Sequence, residues 1–297
     1  MTDLDPRRAR CWLSLAGLVL SVIAAPSRAE WLVDAAAGAF HDDNLTRAQD
    51  SADIRADSAA TILVAARSLF AFGGFDLVTL GADVRGEAYN RFHGLNSVAV
   101  GAAAVFRHKF DLGFDAPWFM ASANASYHEY KENLRDGARF ALRAALGKRF
   151  DEAADASIGV FYDRRYARND EPVVPGISGK VFDLRGHGAY ATVGYALTEQ
   201  LLLGGTFSRR RGDVVSTTSP GFAIYSVSTA IAADPTFGEN MFAYTLRGTT
   251  LTATAMASWA LSDRSSINLI YADERTKAAN DLDYRSHAWN LTFAYRN

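Results

Sequence analysis

Arginine recurs on one side of several alternating stretches of this sequence. Between Ala138 and Phe150, arginine occupies positions 139, 143 and 149, while alanine, leucine and phenylalanine fill most alternate positions. Successive side chains of a β-strand point to opposite faces, so the pattern predicts one apolar face and one arginine face. Arginine keeps its charge in confined sites and holds carboxylate or phosphate groups through paired hydrogen bonds. The chemistry predicted for this face is anion binding.

Twelve segments of the chain show the same period of two. They lie near 31–41, 57–70, 75–89, 96–110, 117–131, 136–150, 155–168, 180–196, 200–212, 241–260, 265–276 and 284–296. Most are longer than the roughly five or six residues of an ordinary soluble strand. Short and long connections alternate between them, as in barrels that cross an outer membrane with short periplasmic turns and longer external loops.

We therefore predict an all-β fold, a transmembrane antiparallel up-and-down β-barrel of about twelve strands. The alternative is fourteen strands, if Phe222–Ile231 contributes to an extra hairpin within the long segment 213–240. That segment could equally fold back into the barrel as a plug. A soluble β-sandwich would also alternate, but its strands are shorter and its turns closer together.

The first 29 residues have a different composition from the rest. Arg7, Arg8 and Arg10 precede the apolar run 11–25, and small residues flank Arg28. This layout predicts a secretory signal peptide cleaved after Ala29, which leaves residues 30–297 as the barrel. The single cysteine lies in the leader, so we expect no disulfide or thiolate metal site. The formal net charge of −2 argues against nucleic acid as a partner.

The last strand, 288–295, resembles the C-terminal insertion signal of Gram-negative outer-membrane β-barrel proteins, although Arg296 and Asn297 follow it. The first strand, 35–45, is similar to the opening of the barrel domains of surface-lipoprotein assembly modifiers. The resemblance implies an outer-membrane location, contact with outer-membrane lipids and lipopolysaccharide, and insertion by the barrel-assembly machinery. The signal residues would be Trp289, Leu291, Phe293 and Tyr295.

The charged faces of the strands give a set of residues that we expect to line the lumen. They are Arg67, Asp83, Arg85, Glu87, Arg139, Arg143, Arg149, Asp163, Arg165, Asp183, Arg185, His187, Arg210 and Glu274. Because arginine outnumbers the carboxylates, a porin-like channel that passes or binds small anionic solutes is the first hypothesis. Ladders of Arg–Asp and Arg–Glu pairs that close the lumen are the alternative, and they would indicate a structural, assembly or surface-interaction protein.

Three further sites are weaker hypotheses. Ser126 and His128 share a strand face, and with His187 and Asp183 they could supply a hydrolase group assembled across strands. The run 41–44 could hold Ca²⁺ through oxygen ligands, or form a hydrated loop start. The arginines at 209–211 could contact lipopolysaccharide phosphates or form a solvated rim. Because no catalytic or metal-binding motif surrounds these residues, we predict no enzymatic activity, no cofactor and no bound metal.

Overall fold

The computed structural model describes residues 31–297, so the expected leader lies outside the described residues. Thirteen strands run through this part of the chain. They are β1 (Trp31–Asp42), β2 (Asp57–Phe72), β3 (Asp76–Tyr89), β4 (Ser97–Lys109), β5 (Trp118–Tyr130), β6 (Gly137–Arg149), β7 (Ala154–Ala167), β8 (Leu184–Ala196), β9 (Leu201–Thr218), β10 (Ala230–Ala233), β11 (Phe242–Ser262), β12 (Ser265–Ala278) and β13 (Asp283–Arg296).

The wall is a closed antiparallel ring of twelve strands. Each strand pairs with its neighbour in the chain, β9 pairs directly with β11, and β13 pairs with β1 to complete the ring. The fourteen-strand alternative is wrong for the described residues. Within the expected hairpin, Phe222–Tyr225 forms one helical turn, α1, and Ala230–Ala233 forms the short strand β10, which pairs with β11 alone among the strands.

Single-turn segments lie within three of the long connections; two are helical, and the third has left-handed backbone at Asn280 and Asp281. They are His93–Leu95 between β3 and β4, Asn133–Arg135 between β5 and β6, and Ala279–Asp281 between β12 and β13. No helix within residues 31–297 has both the length and the apolar character needed to cross a membrane.

The outward face of the wall is apolar and open to its surroundings. The exposed fractions of Ile158, Val193 and Leu142 are 67%, 58% and 54%, although a soluble protein would normally bury such residues. On β8 the alternation is regular, with Ala191, Val193 and Tyr195 exposed and their neighbours partly covered. Large apolar side chains that point away from a closed ring are typical of a barrel that faces lipid.

The three buried hydrophobic clusters of the described residues all lie toward the end where the long connections gather. Their larger members include Leu134, Phe182, Ile231, Leu246 and Phe237. We call this the long-loop end and the opposite one the short-turn end. The protein therefore has its densest packing where its loops meet, rather than along its wall.

Both ends of the described chain lie at the short-turn end. Asp34 on β1 is opposite Arg296 on β13, with 2.6 Å between Oδ1 and Nε. The backbone N–H of Asn297 donates to the carbonyl of Val33 at 3.1 Å. The seam between the two strands is thus hydrogen-bonded along its length and closed by an ion pair.

Candidate functional site: the charged lumen and the outer mouth

The register of the wall assigns each side chain to one of two faces. Residues directly opposite each other in neighbouring strands share a face, and the exposed apolar residues mark the outward one. On this basis most of the expected set points inward. The inward residues are Arg67, Asp83, Arg85, Glu87, Arg139, Arg143, Arg149, Asp163, Arg165, Arg210 and Glu274.

Three of the expected residues lie on the outward face, so the prediction that they line the lumen is wrong. Arg185 and His187 share the outward face of β8 with Val193. Asp183 lies just before β8 and pairs with the outward Arg164, whose Nη2 is 2.5 Å from Asp183 Oδ1. The hydrolase group is therefore not assembled. Asp183 and His187 face outward, whereas Ser126 and His128 face inward, with 3.0 Å between Ser126 Oγ and His128 Nε2.

Several inward charges are neutralised by a partner on the same face. Arg210 holds Asp163 through two hydrogen bonds, of 2.9 Å from Nε and 2.6 Å from Nη2. Arg67 Nη2 lies 2.8 Å from Asp34 Oδ2. Arg85 Nε donates to Asp83 on its own strand at 2.7 Å. These contacts are the ladder that the closed-lumen alternative predicts.

A second group of inward arginines has different partners. Arg139 Nη2 donates to the phenol of Tyr130 at 2.6 Å, and Arg165 Nη2 donates to a backbone carbonyl at 2.5 Å. The guanidinium of Arg165 also lies 4.5 Å from the ring centroid of Phe182, and that of Arg143 lies 5.9 Å from Tyr190.

This arginine group, Arg139, Arg143 and Arg165, leaves donors unused. The Nε atoms of Arg139 and Arg165 are buried and have no hydrogen-bond partner within the described residues. A buried donor without a partner is unfavourable by about 1–3 kcal/mol, and more when it is charged. The cluster therefore holds positive charge on the inward face at a cost that a fully paired ladder would avoid.

The long-loop end of the barrel, which we call the outer mouth, is crossed by an extension of β9 and β11. Strand β8 pairs with β9 as far as Gly212, whereas β9 and β11 continue together to Thr218 and Phe242. Strand β10 adds to the far edge of this extension. We call residues 213–247 the mouth hairpin.

The other long loops hold the mouth hairpin in place. Thr217 N–H donates to the carbonyl of Thr46 at 2.8 Å, and Ile231 N–H donates to that of Ser178 at 2.9 Å. The rings of Phe92 and Phe237 pack with their centroids 5.0 Å apart. Because these partners come from three different loops, the hairpin spans the mouth rather than extending away from it.

A buried ion pair lies at the centre of these contacts. Arg135 and Asp234 are joined by hydrogen bonds of 3.0 and 2.5 Å, and the exposed fractions of their side chains are 8% and 0%. Thr217 Oγ1 donates to the same carboxylate at 3.0 Å. The guanidinium of Arg135 stacks between Phe182 and Phe237, 4.9 and 5.4 Å from their centroids. Such complete pairing is what allows two charges to remain buried.

Asp53 fastens the rim of the hairpin from the loop between β1 and β2. Its carboxylate accepts hydrogen bonds from the Thr218 hydroxyl and from Ser219, the latter from Oγ at 2.7 Å and from N at 3.0 Å. Burial would raise the pKa of Asp53, but these hydrogen bonds outweigh it and the pKa is held below its usual value.

The oxygen-rich run 41–44 is occupied by protein partners. Asp42 pairs with Arg47 at 2.8 Å, and Asp43 Oδ2 lies 2.7 Å from Nδ1 of His287. Asn44 donates to the carbonyl of Ala48 at 2.9 Å. Within residues 31–297 no group of three or more His, Cys, Asp or Glu side chains is arranged to hold a metal ion.

Comparison with known proteins supports the fold. No protein-family model and no curated protein matches the chain. Among solved structures, the COG4313 outer-membrane channel from Pseudomonas putida F1 matches at 10% identity with a TM-score of 0.56, over 92% of this chain and 97% of that one. The NanC porin matches at 7% identity with a TM-score of 0.45, over 89% and 98% of the two chains. The second score is too low to carry an argument.

The chain has the fold of the outer-membrane β-barrels. Its expected insertion residues, Trp289, Leu291, Phe293 and Tyr295, lie on the outward face of β13 and are exposed. Recognition of these residues by the barrel-assembly machinery stays a prediction.

The residues that hold the outer mouth were not among the sequence candidates. Arg135 and Asp234 are 99 positions apart, and both lie outside the alternating segments. The signal that did exist was the length of the connection 213–240, which was singled out as a plug or an extra hairpin.

Proposed function

We propose that this protein is an outer-membrane channel of the porin type through which small anionic solutes pass passively. The observation that carries the proposal is the arginine group, whose members face inward and contact tyrosines, a phenylalanine and a carbonyl in place of carboxylates. The matched channel from Pseudomonas putida shares the fold, so it agrees with the proposal without specifying a solute.

The physical basis is the focusing of charge in a narrow space. Walls of low dielectric constant concentrate the field of a charged ring inside the lumen, which raises the local concentration of ions of the opposite sign. The exposed guanidinium of Arg143 gives a passing carboxylate or phosphate a group to bind, and Arg139 and Arg165 add positive charge to the same face. Weak binding at a few sites is compatible with passage, because the ion must also leave.

The test is the reversal potential in a planar bilayer under a potassium chloride gradient. We expect anion selectivity for the wild type. The triple variant Arg139→Gln, Arg143→Gln, Arg165→Gln should lose most of it, because Arg67, Arg85 and Arg210 are paired with carboxylates. Of the expected inward arginines only Arg149, at the short-turn end of β6 and stacked on Phe114, then keeps a charge without a carboxylate partner. Arg275→Gln is the matched control, since it removes an outward charge beside Leu251. A cation-selective wild type, or a triple variant with unchanged selectivity, would contradict the proposal.

The mouth hairpin favours a second function. A mouth held closed by the buried pair Arg135–Asp234 fits a protein that acts through its surface loops, with no flow through its lumen. Conductance separates the two functions. A wild type that conducts supports the channel, whereas a silent wild type together with a conducting variant that lacks residues 219–239 supports a barrel closed by its mouth hairpin.

A further inference from the structure

A row of polar and basic side chains crosses the outward face of five adjacent strands near the long-loop end. Tyr162 on β7 is opposite His187 on β8, which is opposite Arg211 on β9. Arg211 is in turn opposite Thr249 on β11, and Thr249 is opposite Lys277 on β12. At about 4.8 Å between strands, the row is about 19 Å wide.

The row lines a pocket of about 620 Å³ together with Arg185 and Arg247. Glycine at position 212 lets the backbones approach closely there, because a Cβ on Gly212 would lie 2.3 Å from the carbonyl oxygen of Arg185. The pocket is therefore a concave surface on the outside of the wall, separated from the lumen by the backbone of the strands.

The pocket carries excess positive charge. Arg247 is partly neutralised by Asp213, whose Oδ1 lies 3.1 Å from its Nε. Among the described residues, no carboxylate lies within 4.0 Å of the charged nitrogens of Arg185, Arg211 or Lys277. All three side chains are exposed. Asp283 is opposite Lys277 on the same face, but it forms no ion pair with it. Three cations without a carboxylate in contact would be poorly placed against hydrocarbon.

The position of the row relative to the apolar band identifies its level. Val160 lies two residues nearer the short-turn end than Tyr162 and shares its face. On β9 and β11 the level of Leu251 still carries the outward Arg209 and Arg275, and the apolar residues begin at the opposed pair Phe207 and Ala253, four residues from Arg211 and Thr249. Two residues of strand correspond to about 7 Å. The cations thus stand directly above the outward apolar band, at the height of lipid head groups, if the barrel lies in a membrane.

The outermost outward positions on the opposite side of the rim carry no arginine or lysine. The outermost outward positions of β1 to β5 are occupied by His41, Ser58, Ala88, Val98 and Glu129. The basic side chains are therefore gathered on one half of the circumference. A general need to solvate the rim would not concentrate them in this way.

We propose that this basic patch, Arg185, Arg211, Arg247 and Lys277, binds the phosphate groups of lipid A in lipopolysaccharide. Guanidinium groups bind phosphate oxygens through paired hydrogen bonds, and the ammonium of Lys277 adds a point charge. The hydroxyls of Tyr162 and Thr249 face the same space and suit a sugar head group. The apolar band beneath the patch receives the acyl chains, so one lipid satisfies both surfaces. The proposal rests on the outer-membrane location proposed above and is independent of conduction.

The experiment measures retention of lipid A on the full-length protein in detergent by native mass spectrometry. The patch variant is Arg185→Gln, Arg211→Gln, Lys277→Gln. The control variant, Arg55→Gln, Arg91→Gln, Lys131→Gln, removes the same charge from other loops. We expect the patch variant to bind lipid A about tenfold more weakly or worse, because it loses the charge-assisted hydrogen bonds of two guanidinium groups and the charge of Lys277. The control should bind as the wild type does.

Two further ligands identify the source of the anion. Dephosphorylated lipid A should bind the wild type no better than it binds the patch variant, and inorganic phosphate at the concentration of the lipid should not displace it. Equal binding of lipid A by patch and control variants, equal binding of the dephosphorylated lipid, or displacement by phosphate would overturn the assignment.

Folding and conduction are followed separately. Heat-modifiable migration in detergent gels checks that each variant is folded. The reversal potential of the patch variant should equal that of the wild type, because the patch lies outside the lumen. A failure of the channel proposal would appear in that measurement, and a failure of the lipid proposal would appear in the lipid titration.

Discussion

The outer mouth and the wall bury their side chains in opposite ways. In the wall, apolar residues such as Ile158 point outward and remain exposed, and the inward residues are polar. In the mouth, Ile231 and Leu246 have exposed fractions of 2% and 0%, and they pack against residues from several loops. The wall therefore presents its apolar side chains to a surrounding apolar phase, whereas the mouth buries them inside the protein, as a small soluble protein does.

The wall and the mouth are held together by different kinds of contact. The wall is held by a continuous ladder of backbone hydrogen bonds that has no free edge. The mouth depends on side chains, chiefly the pair Arg135–Asp234 and the clusters around it. Substitutions in the mouth should consequently release the hairpin while leaving the barrel closed.

The largest effect is expected from Arg135→Ala. It leaves the carboxylate of Asp234 buried without its counter-ion, which should destabilise the mouth by about 3–5 kcal/mol. The measurements are protease cleavage within residues 219–241 and single-channel conductance, both of which should rise. Arg67→Ala breaks an ion pair in the wall whose arginine is 45% exposed, so its effect should stay within about 1 kcal/mol. Equal cleavage in the two variants would abolish the distinction between mouth and wall.

A smaller effect is expected from Ile231→Ala. Removing a side chain that is 2% exposed should reduce the stability of the mouth by about 2–5 kcal/mol, toward the lower end because β10 is short and can adjust. Ile158→Ala on the wall is the matched control, because its side chain contacts the surrounding phase rather than protein. Hydrogen exchange of the amides of residues 230–233 is the measurement. Protection that persists in Ile231→Ala would show that the mouth is held by hydrogen bonds alone.

The smallest effect on the mouth is expected from a fall in pH. Asp53 has a pKa below its usual value of about 3.9. A carboxyl of this kind stabilises the fold above its unfolded pKa, and the contribution is lost as the pH falls through the folded pKa. Cleavage of the mouth hairpin should therefore rise below about pH 4 in the wild type. In Asp53→Asn this rise in cleavage should be absent. The pH at which the wall itself unfolds should be the same in both proteins.

Alternation predicted the wall well because it reports directly on which face of a strand is apolar and which is polar. Strand β5 was expected at 117–131 and occupies Trp118–Tyr130. Strand β9 was expected to end near 212 but continues to Thr218. Beyond the apolar band both faces of a strand meet polar groups or protein, so the period of two no longer marks a boundary.

The same physical limit explains the misplaced residues. Arg185 and His187 were assigned to the lumen because they are polar, yet they share a face with Val193 on the same strand. Polarity identifies the inward face along the apolar band and loses that meaning at the rim. The pair Arg135–Asp234 could not be found at all, since it depends on how two irregular loops meet.

The seam between β1 and β13 has a consequence for the order of the chain. Its strands pair as all other neighbours do, and Asn297 lies against Val33 with a hydrogen bond of 3.1 Å. A ring in which each strand has two equivalent neighbours has no necessary first strand. A circular permutant that links 297 to 31 and opens at Gly73–Gly74 would therefore keep every pairing of the wall, because those two glycines lie in an exposed turn with open space around them.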